Sequence, residues 1–428
     1  MPHILDDLQW RGLIALSTDL DPLRAELSRG PVTYYGGFDP TAPSLHVGNL
    51  VLILTLRRLQ LAGHRPLALV GGATGLIGDP SGRSTERQLQ PTEQVAEWVE
   101  RIRAQIEPFL DFTGEFGARM VNNLDWTAEL SAIEFLRDIG RHFRVNKMIT
   151  KDAVSARLRS EEGISYTEFS YQILQGMDYL ELLRRYGCRL QVGGSDQWGN
   201  LTAGTDLIRR VAGESVHLLA TPLITDSQGR KLGKSTGGGG VWLDPQLTSP
   251  YAFYQFFINV TDAQIPSLLR IFTVLPREEI EELEKELAER PAQRAAARRL
   301  AEEVTRLVHS EQEVRQVVAA SQALFGRGSL AELTPATLGA ALAEAGTVQI
   351  TGGDPLPSVA ELLVTTGLAG SRNQARRTVA EGGAYLNNER VTDADLPVPV
   401  SALLHGRYLV LRRGRRSVAG VERGSSQP

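Results

Sequence analysis

The chain has 428 residues, 42% of them hydrophobic and 22% charged, with a formal net charge of −4. At about 150 residues per domain, that length suggests roughly three domains, each able to bury its own core. A single cysteine, Cys188, excludes a disulfide framework and a multi-cysteine zinc site, and the seven histidines show no metal-ligand spacing, so no metal centre is expected. No run reaches the roughly 20 apolar residues of a membrane span. The opening MPHILDDLQWRGL is acidic where a leader peptide would be basic, so a cytoplasmic protein without a membrane partner is expected.

Charge is unevenly divided. Residues 355–428 hold ten arginines, no lysine and six carboxylates, a net +4, which leaves −8 for residues 1–354. A basic end on an acidic body points to a polyanionic partner for that end alone.

In chain order, VTYYGGF (32–38) reads as a buried strand, NLVLILTLRRLQLA (49–62) as a buried helix closed by Gly63, and PLALV (66–70) as a second strand. Strand, helix and strand in so short a stretch form a βαβ unit and hence a parallel sheet. Helices are expected at about 92–110, 128–140 and 167–186, a strand at 188–194 and a helix at 199–211. The result is an α/β core with a helical insertion over about 84–187. The polar, glycine-rich TDSQGRKLGKSTGGGG (225–240) reads as a mobile loop, and 250–325 as helical. Residues 344–357, with Gly352, Gly353, Pro355 and Pro357, look like a linker. A helix follows, capped by Ser358 and stopped by Gly367, then a second with capping-box spacing at Ser371 and Gln374, stopped by Gly382. Asn387-Asn388 reads as a hairpin turn, and HGRYLVLRRGRR as a closing strand with a basic tip.

Two short motifs carry chemistry. In TAPSLHVGN (41–49) a strand end feeds a helix N-terminus bearing His46, Gly48 and Asn49. Backbone N–H groups and the helix dipole favour phosphate there, glycine permits close approach, and His46 and Asn49 can donate to phosphate oxygens. In KLGKS (231–235), Lys231 and Lys234 can bracket a polyphosphate as point charges beside Ser235. Either motif alone reads as a turn or a solvated loop. Together and in this order they resemble the H-I-G-H and K-M-S-K-S signatures of class I aminoacyl-tRNA synthetases. Asn49 stands in place of the last histidine, and Leu232-Gly233 in place of Met-Ser.

Longer blocks narrow the resemblance. YYGGFDPTAPSLHVGN (34–49), GGATGLIGDPSG (71–82), SYQILQGMDYL (170–180) and QVGGSDQWGN (191–200) are similar to the bacterial tyrosyl-tRNA synthetase family, across essentially the whole chain. Residues 356–420 resemble the S4-type RNA-binding module at that family's C-terminus. The fold implied is a class I Rossmann-like parallel-sheet catalytic domain with a helical insertion (1–222) and a KMSKS-type loop (223–248). An α-helical anticodon-side domain (249–343), a linker (344–355), a small α+β S4-like domain (356–420) and a tail (421–428) complete it.

The resemblance implies that L-tyrosine is activated with ATP and Mg²⁺ and passed to tRNA(Tyr). By position, Thr41, His46, Lys231, Lys234 and Ser235 would serve the phosphates, with Gly37, Asp39, Gly48, Asn49, Gly194 and Asp196 around the rest of ATP. Tyr35 and Asp178 would meet the substrate phenol; Asp79, Tyr171 and Gln175 its ammonium group; Thr74, Gln191 and Gln197 would border the amino acid. Tyr171, Gln175 and Asp178 fall at i, i+4 and i+7, on one helix face, which is independent support for a shared pocket. In the C-terminal module, Arg372, Arg376, Arg377, Arg412, Arg413, Arg415 and Arg416 would meet RNA phosphates. The family also implies a homodimer with its contact near 130–170, including Tyr166. The rival readings are a tryptophanyl-tRNA synthetase and a catalytically silent, synthetase-like RNA-binding protein.

Overall fold

The computed structural model describes residues 3–81, 88–225, 232, 240–351 and 354–424, with nothing stated of the side chains of 152 and 153. It resolves two compact units, one of residues 1–244 and 262–285, the other of residues 245–261 and 286–428.

The first unit is built on a six-stranded sheet of β1 (Leu16–Ser17), β2 (Thr33–Phe38), β3 (Arg65–Val70), β4 (Arg119–Asn122), β5 (Cys188–Gly194) and β6 (His217–Thr221). Their spatial order is β1-β6-β5-β2-β3-β4. β2 pairs parallel with both β3 and β5, β3 with β4 and β5 with β6, and only β1 is antiparallel. The strand order reverses at β2, so the crevice for a ligand lies beyond the carboxyl ends of β2 and β5. The helices Val47–Leu61, Tyr166–Tyr186 and Trp198–Val211 stand where the apolar spacing places them. Gly63, at φ +92°, follows the first of these helices as its stop. No helix among the described residues is long and apolar enough to cross a membrane.

One expected helix of this unit is absent and one strand was not expected. The stretch 128–140 is no continuous helix: a single turn, Ala132–Glu134, runs into a π-turn, Phe135–Ile139, and a 3-10 turn, Gly140–His142. Ile139 is buried there but Ile133 and Leu136 are exposed, so no apolar stripe faces the core. Conversely, β4 was not legible; its RMVN is four residues long and begins with an arginine.

Segment 262–285 was assigned by sequence to the helical domain, yet it packs with the sheet unit. Two buried arginines explain this. Arg58, on the Val47–Leu61 helix, donates to the Thr273 carbonyl at 2.5 Å. Arg11 donates to the Arg270 and Leu275 carbonyls at 2.9 and 3.0 Å. These acceptors lie at the C-terminal end of helix Ile265–Phe272, where orphan carbonyls and the helix dipole favour cations. Burial pulls the Arg58 guanidinium down to about 9, still protonated at neutral pH.

The second unit combines the helices Pro250–Ile258, Ala295–Val308, Glu311–Ala323 and Pro335–Ala345 with a five-stranded sheet. In chain order its strands are β7 (Thr347–Ile350), β8 (Leu356–Ser358), β9 (Ala384–Leu386), β10 (Glu389–Arg390), β11 (Pro397–Val398), β12 (Tyr408–Arg413) and β13 (Ser417–Arg423). The sheet order is β10-β9-β12-β13-β7, and β8 with β11 forms a separate two-stranded ribbon. Ser358 caps helix Val359–Thr365 in a full capping box with Glu361. Ser371 caps the next helix, but the Gln374 side chain accepts from Gly370 N–H instead of closing the box. Asn387 and Asn388 both take positive φ between β9 and β10, the backbone of a tight hairpin. The expected linker 344–355 is corrected: Thr347–Ile350 is β7, paired parallel with β13. The expected tail is likewise corrected, since Val421–Arg423 belong to β13.

Candidate active site

His46 is the N-cap residue of helix Val47–Leu61, and its backbone N–H donates to Asn49 Oδ1 at 3.0 Å. The Asn49 carbonyl is therefore spent on the cap, leaving its amide N–H₂ to face outward chemistry. Gly48 has a local purpose: a Cβ there would sit 2.7 Å from His46 Cε1, so glycine makes room for the imidazole. Thr41 is exposed just past the end of β2, its N–H donating to the Asp39 carbonyl at 2.9 Å.

Residues 241–243 lie against this turn. Val47 N–H donates to the Val241 carbonyl at 2.9 Å, and Leu243 N–H to the Leu45 carbonyl at 2.8 Å. The Trp242 ring lies 6.2 Å from the His46 ring. The chain just after the glycine-rich stretch is thus anchored to the H-x-G turn. Lys231, Lys234 and Ser235 themselves lie outside the described residues.

The amino-acid side is a hydrogen-bonded chain. Tyr171 donates to Asp39 Oδ2 at 2.5 Å, and Thr74 donates to Asp39 Oδ1 at 2.6 Å. Asn123 Nδ2 donates to Thr74 Oγ1 at 2.9 Å and to Asp178 Oδ2 at 3.0 Å. Trp126 Nε1 donates to Asp178 Oδ1 at 2.9 Å. Asp178 is 1% exposed, and burial pushes its carboxyl up to about 7 against the pull of the Asn123 and Trp126 donors. Tyr35 is equally buried, close enough to feel the Asp178 charge, and its hydroxyl has no partner. Burial and that carboxylate keep the phenol protonated.

Gln191 faces Tyr35 in register across β2 and β5. The side-chain carbonyls of Gln191 and Gln175 are buried without partners. Buried polar atoms are rarely left unmatched, so these three groups mark where a polar ligand belongs. From this helix, Tyr171 reaches Asp39, just past the end of β2, and Asp178 accepts from Asn123, just past the end of β4. Asp79 lies in a second cluster, accepting from Gln197 Nε2 at 2.6 Å, Asn200 Nδ2 at 3.3 Å and Ser81 N–H at 3.0 Å. A cavity of about 810 Å³ adjoins this cluster, lined in part by Ser81, Lys151, Gln172, Asp196, Trp198 and Asn200. Gly37 and Gly194 sit at the carboxyl ends of β2 and β5, flanking the crevice.

Sequence reasoning missed Asn123, Trp126, Asn200 and Trp242. The usable signal was the pair Asn122-Asn123, polar residues following a short strand where ligands bind, but β4 had to be recognised first.

The C-terminal arginines divide. Arg372, Arg376 and Arg377 pair with Glu361, Asp395 and Glu381 at 2.6, 3.0 and 3.0 Å on the surface. Exposed pairs of this kind are weak and leave the cations open to exchange partners. Arg413 donates to the Leu368 carbonyl at 2.7 Å, while Arg415 and Arg416 are exposed in the β12–β13 turn. Arg412 is different and corrects the expectation: it is buried, with its guanidinium 4.1 Å over the Tyr385 ring. Among the described residues, no group of three or more His, Cys, Asp or Glu side chains is gathered as for a metal ion.

Residues 27–326 match the family described as tRNA synthetases class I (W and Y), and 341–419 match the tyrosine–tRNA ligase SYY-like C-terminal domain. The chain therefore belongs to the class I aminoacyl-tRNA synthetases of the tryptophan and tyrosine branch. Over 426 residues, 99% of this chain and 100% of the relative, it is 63% identical to the tyrosine–tRNA ligase of Acidothermus cellulolyticus. It is 58% identical over 421 residues to that of Mycobacterium tuberculosis, covering 98% of this chain and 99% of the relative. Among solved structures, it is similar to a C-terminally truncated mitochondrial tyrosyl-tRNA synthetase from Coccidioides posadasii. That match has TM-score 0.65 and 31% identity over 74% of this chain and 91% of the other. Within the branch, the chain belongs to the tyrosine–tRNA ligase family.

Proposed function

We propose that this chain activates L-tyrosine with ATP and transfers it to tRNA(Tyr). In the first step a tyrosine carboxylate oxygen attacks the ATP α-phosphorus, the bond to the β-phosphate oxygen breaks, and pyrophosphate leaves. In the second, a ribose hydroxyl of the 3′-terminal adenosine attacks the tyrosyl carbonyl carbon, gives up its proton, and AMP leaves. Neither step needs a protein nucleophile. Both need alignment, and positive charge or donors where phosphate oxygens gain charge.

The observation that carries the reading is the Tyr35 hydroxyl, buried without a partner beside the Asp178 carboxylate. A substrate phenol placed between them would accept from one and donate to the other. A phenyl ring would leave both unmatched, at a cost that lets the site reject it. Asp79, Tyr171 and Gln175 supply the acceptors that suit an ammonium group, with Thr74, Gln191 and Gln197 bordering the amino acid. Thr41, His46, Lys231, Lys234 and Ser235 would hold the β- and γ-phosphates; Gly37, Asp39, Gly48, Asn49, Gly194 and Asp196 would border ribose and adenine. Mg²⁺ would enter as part of the ATP substrate complex, carried largely by the phosphates.

The reading extends to organisation. Residues 1–222 would form the catalytic domain, 249–343 the anticodon side, and 356–420 an S4-like RNA-binding domain in a cytoplasmic enzyme. A homodimer is supported by the apolar side chains Ile133, Leu136, Val145, Ile149, Leu158 and Tyr166, all solvent-exposed within one short stretch.

The test is amino-acid-dependent ATP–pyrophosphate exchange across all twenty amino acids. Exchange with tyrosine alone supports the activation chemistry and the pocket together. Exchange with tryptophan instead would overturn the pocket, and no exchange by folded protein would favour the silent RNA-binding reading.

A further inference from the structure

The backbone that carries His46 is gripped by side chains outside its own motif. Ser44 is 4% exposed, and its hydroxyl donates to the Leu45 carbonyl at 2.8 Å. The same oxygen accepts from Gln105 Nε2 at 3.0 Å and from Asp244 N–H at 3.2 Å. A hydroxyl has one proton and two lone pairs, so all of its capacity is engaged. Gln105 also holds the main chain, its Oε1 accepting from Leu45 N–H at 2.8 Å. Leu45 is therefore bonded at both backbone groups, and its carbonyl also accepts from Leu243 N–H.

Gln105 comes from helix Thr92–Ile106, sixty residues further along the chain. That helix buries Val95, Val99, Ile102 and Ile106, a single face by helical spacing. Gln105 stands at the rim of this face, half-buried, with its carbonyl and its amide both turned onto the two residues before His46. From another direction, Trp242 bridges His46 as an antiparallel neighbour. The N-cap residue is thus held between a helix side chain and the 241–244 segment. Nothing in the local sequence around 41–49 points to Gln105.

The geometry assigns Gln105 and Ser44 as positioning residues for His46. They act through the backbone from which the imidazole projects, not on the phosphates. The catalytic part rests on the proposed function, in which His46 meets phosphate oxygens; the grip on the backbone does not. Those oxygens gain charge in the transition state, so a displaced imidazole lowers turnover more than substrate affinity.

The test uses Gln105→Met, which keeps the length and removes both polar ends, and Ser44→Ala, which removes the hydroxyl. In tyrosine-dependent pyrophosphate exchange, each should lower kcat about tenfold, the scale expected of a displacement below 1 Å, with the KM values for tyrosine and ATP within about twofold. A network that only stabilised the fold would lower the melting temperature and leave the kcat of folded protein alone. Unchanged kcat in both variants, or a rise in KM without a fall in kcat, overturns the assignment. Gln105→Met carries the test if Ser44→Ala does not fold, because Gln105 is only half-buried.

The same substitution is then added to His46→Ala. If Gln105 acts through the imidazole, Gln105→Met costs less than about a further twofold in that background. A loss as large as in the parent background would show that Gln105 acts elsewhere and would refute the role. Amide exchange at Leu45, followed by NMR on the full chain, reads the grip itself. It should accelerate at least about tenfold in Gln105→Met, and an unchanged rate would overturn the grip. If the parent chain shows no tyrosine-dependent exchange of pyrophosphate, the functional reading fails, while amide exchange at Leu45 still decides whether Gln105 holds the turn.

Discussion

Trp126 donates its indole N–H to Asp178 Oδ1 at 2.9 Å, and both side chains are almost fully buried. The bond fixes one carboxylate oxygen and, with Asn123 on the other, orients the remaining lone pairs. Trp126→Phe keeps much of the bulk and removes the donor. A hydrogen bond to a buried charge contributes about 1.5–3 kcal/mol, so tyrosine activation should fall roughly ten- to a hundredfold. Pyrophosphate exchange against tyrosine concentration checks this; unchanged kcat/KM would mean that Asp178 does not depend on Trp126.

The same carboxylate sets a pH dependence. Its folded pKa is raised to about 7, above the ordinary unfolded value of about 3.9. Between these values the folded state holds more protons than the unfolded chain, so stability falls as pH rises. The full penalty is present above about pH 7 and absent below about pH 4. Ligand-free Asp178→Asn lacks this term. Thermal melts of both proteins between pH 4.5 and 8 should show the parent losing ground to the variant as pH rises; parallel curves would count against the shift.

Gly48→Ala tests the seat of the imidazole. The added methyl would crowd the His46 ring from 2.7 Å while leaving the helix intact. Since alanine is the better helix former by about 1 kcal/mol, stability should change little. A displacement of about 1 Å at a reacting group costs on the order of a hundredfold, which is the expected loss of activation rate. Unaltered activity would remove His46 from the chemistry or show that the ring has other room.

The exposed apolar stretch predicts association. Tyr166→Asp combined with Leu136→Asp should convert a dimer to a monomer in sedimentation at micromolar concentration, with the far-ultraviolet spectrum preserved. A parent chain that is already monomeric would refute the interface.

Much of the catalytic unit was legible because its signals are local. The β2–helix–β3 unit follows from apolar runs and a glycine stop, and the shared face of Tyr171, Gln175 and Asp178 follows from helical spacing alone. Asn123 and Trp126 were not legible because β4 is short and their partner Asp178 is more than fifty residues away in sequence. Arg412 was misread for a related reason. Sequence shows an arginine in a basic run, whereas burial is decided by Tyr385 on a neighbouring strand and Gly326 outside the sheet. The linker expectation failed at Thr347–Ile350 because an edge strand's partner, β13, lies at the far end of the chain.

The buried arginines at positions 11 and 58 have a practical consequence for dissection of the molecule. A fragment ending at 244 would contain every strand of the parallel sheet, yet it would strip two guanidiniums of the carbonyls that neutralise their burial. Such a fragment should be insoluble or loosely folded despite its complete sheet. The shortest autonomous piece must run through residue 285 and carry along the intervening 245–261, whose own packing partners would be missing. The two units do not divide at a single point in the chain, so single substitutions are the cleaner instrument for separating activation from RNA recognition.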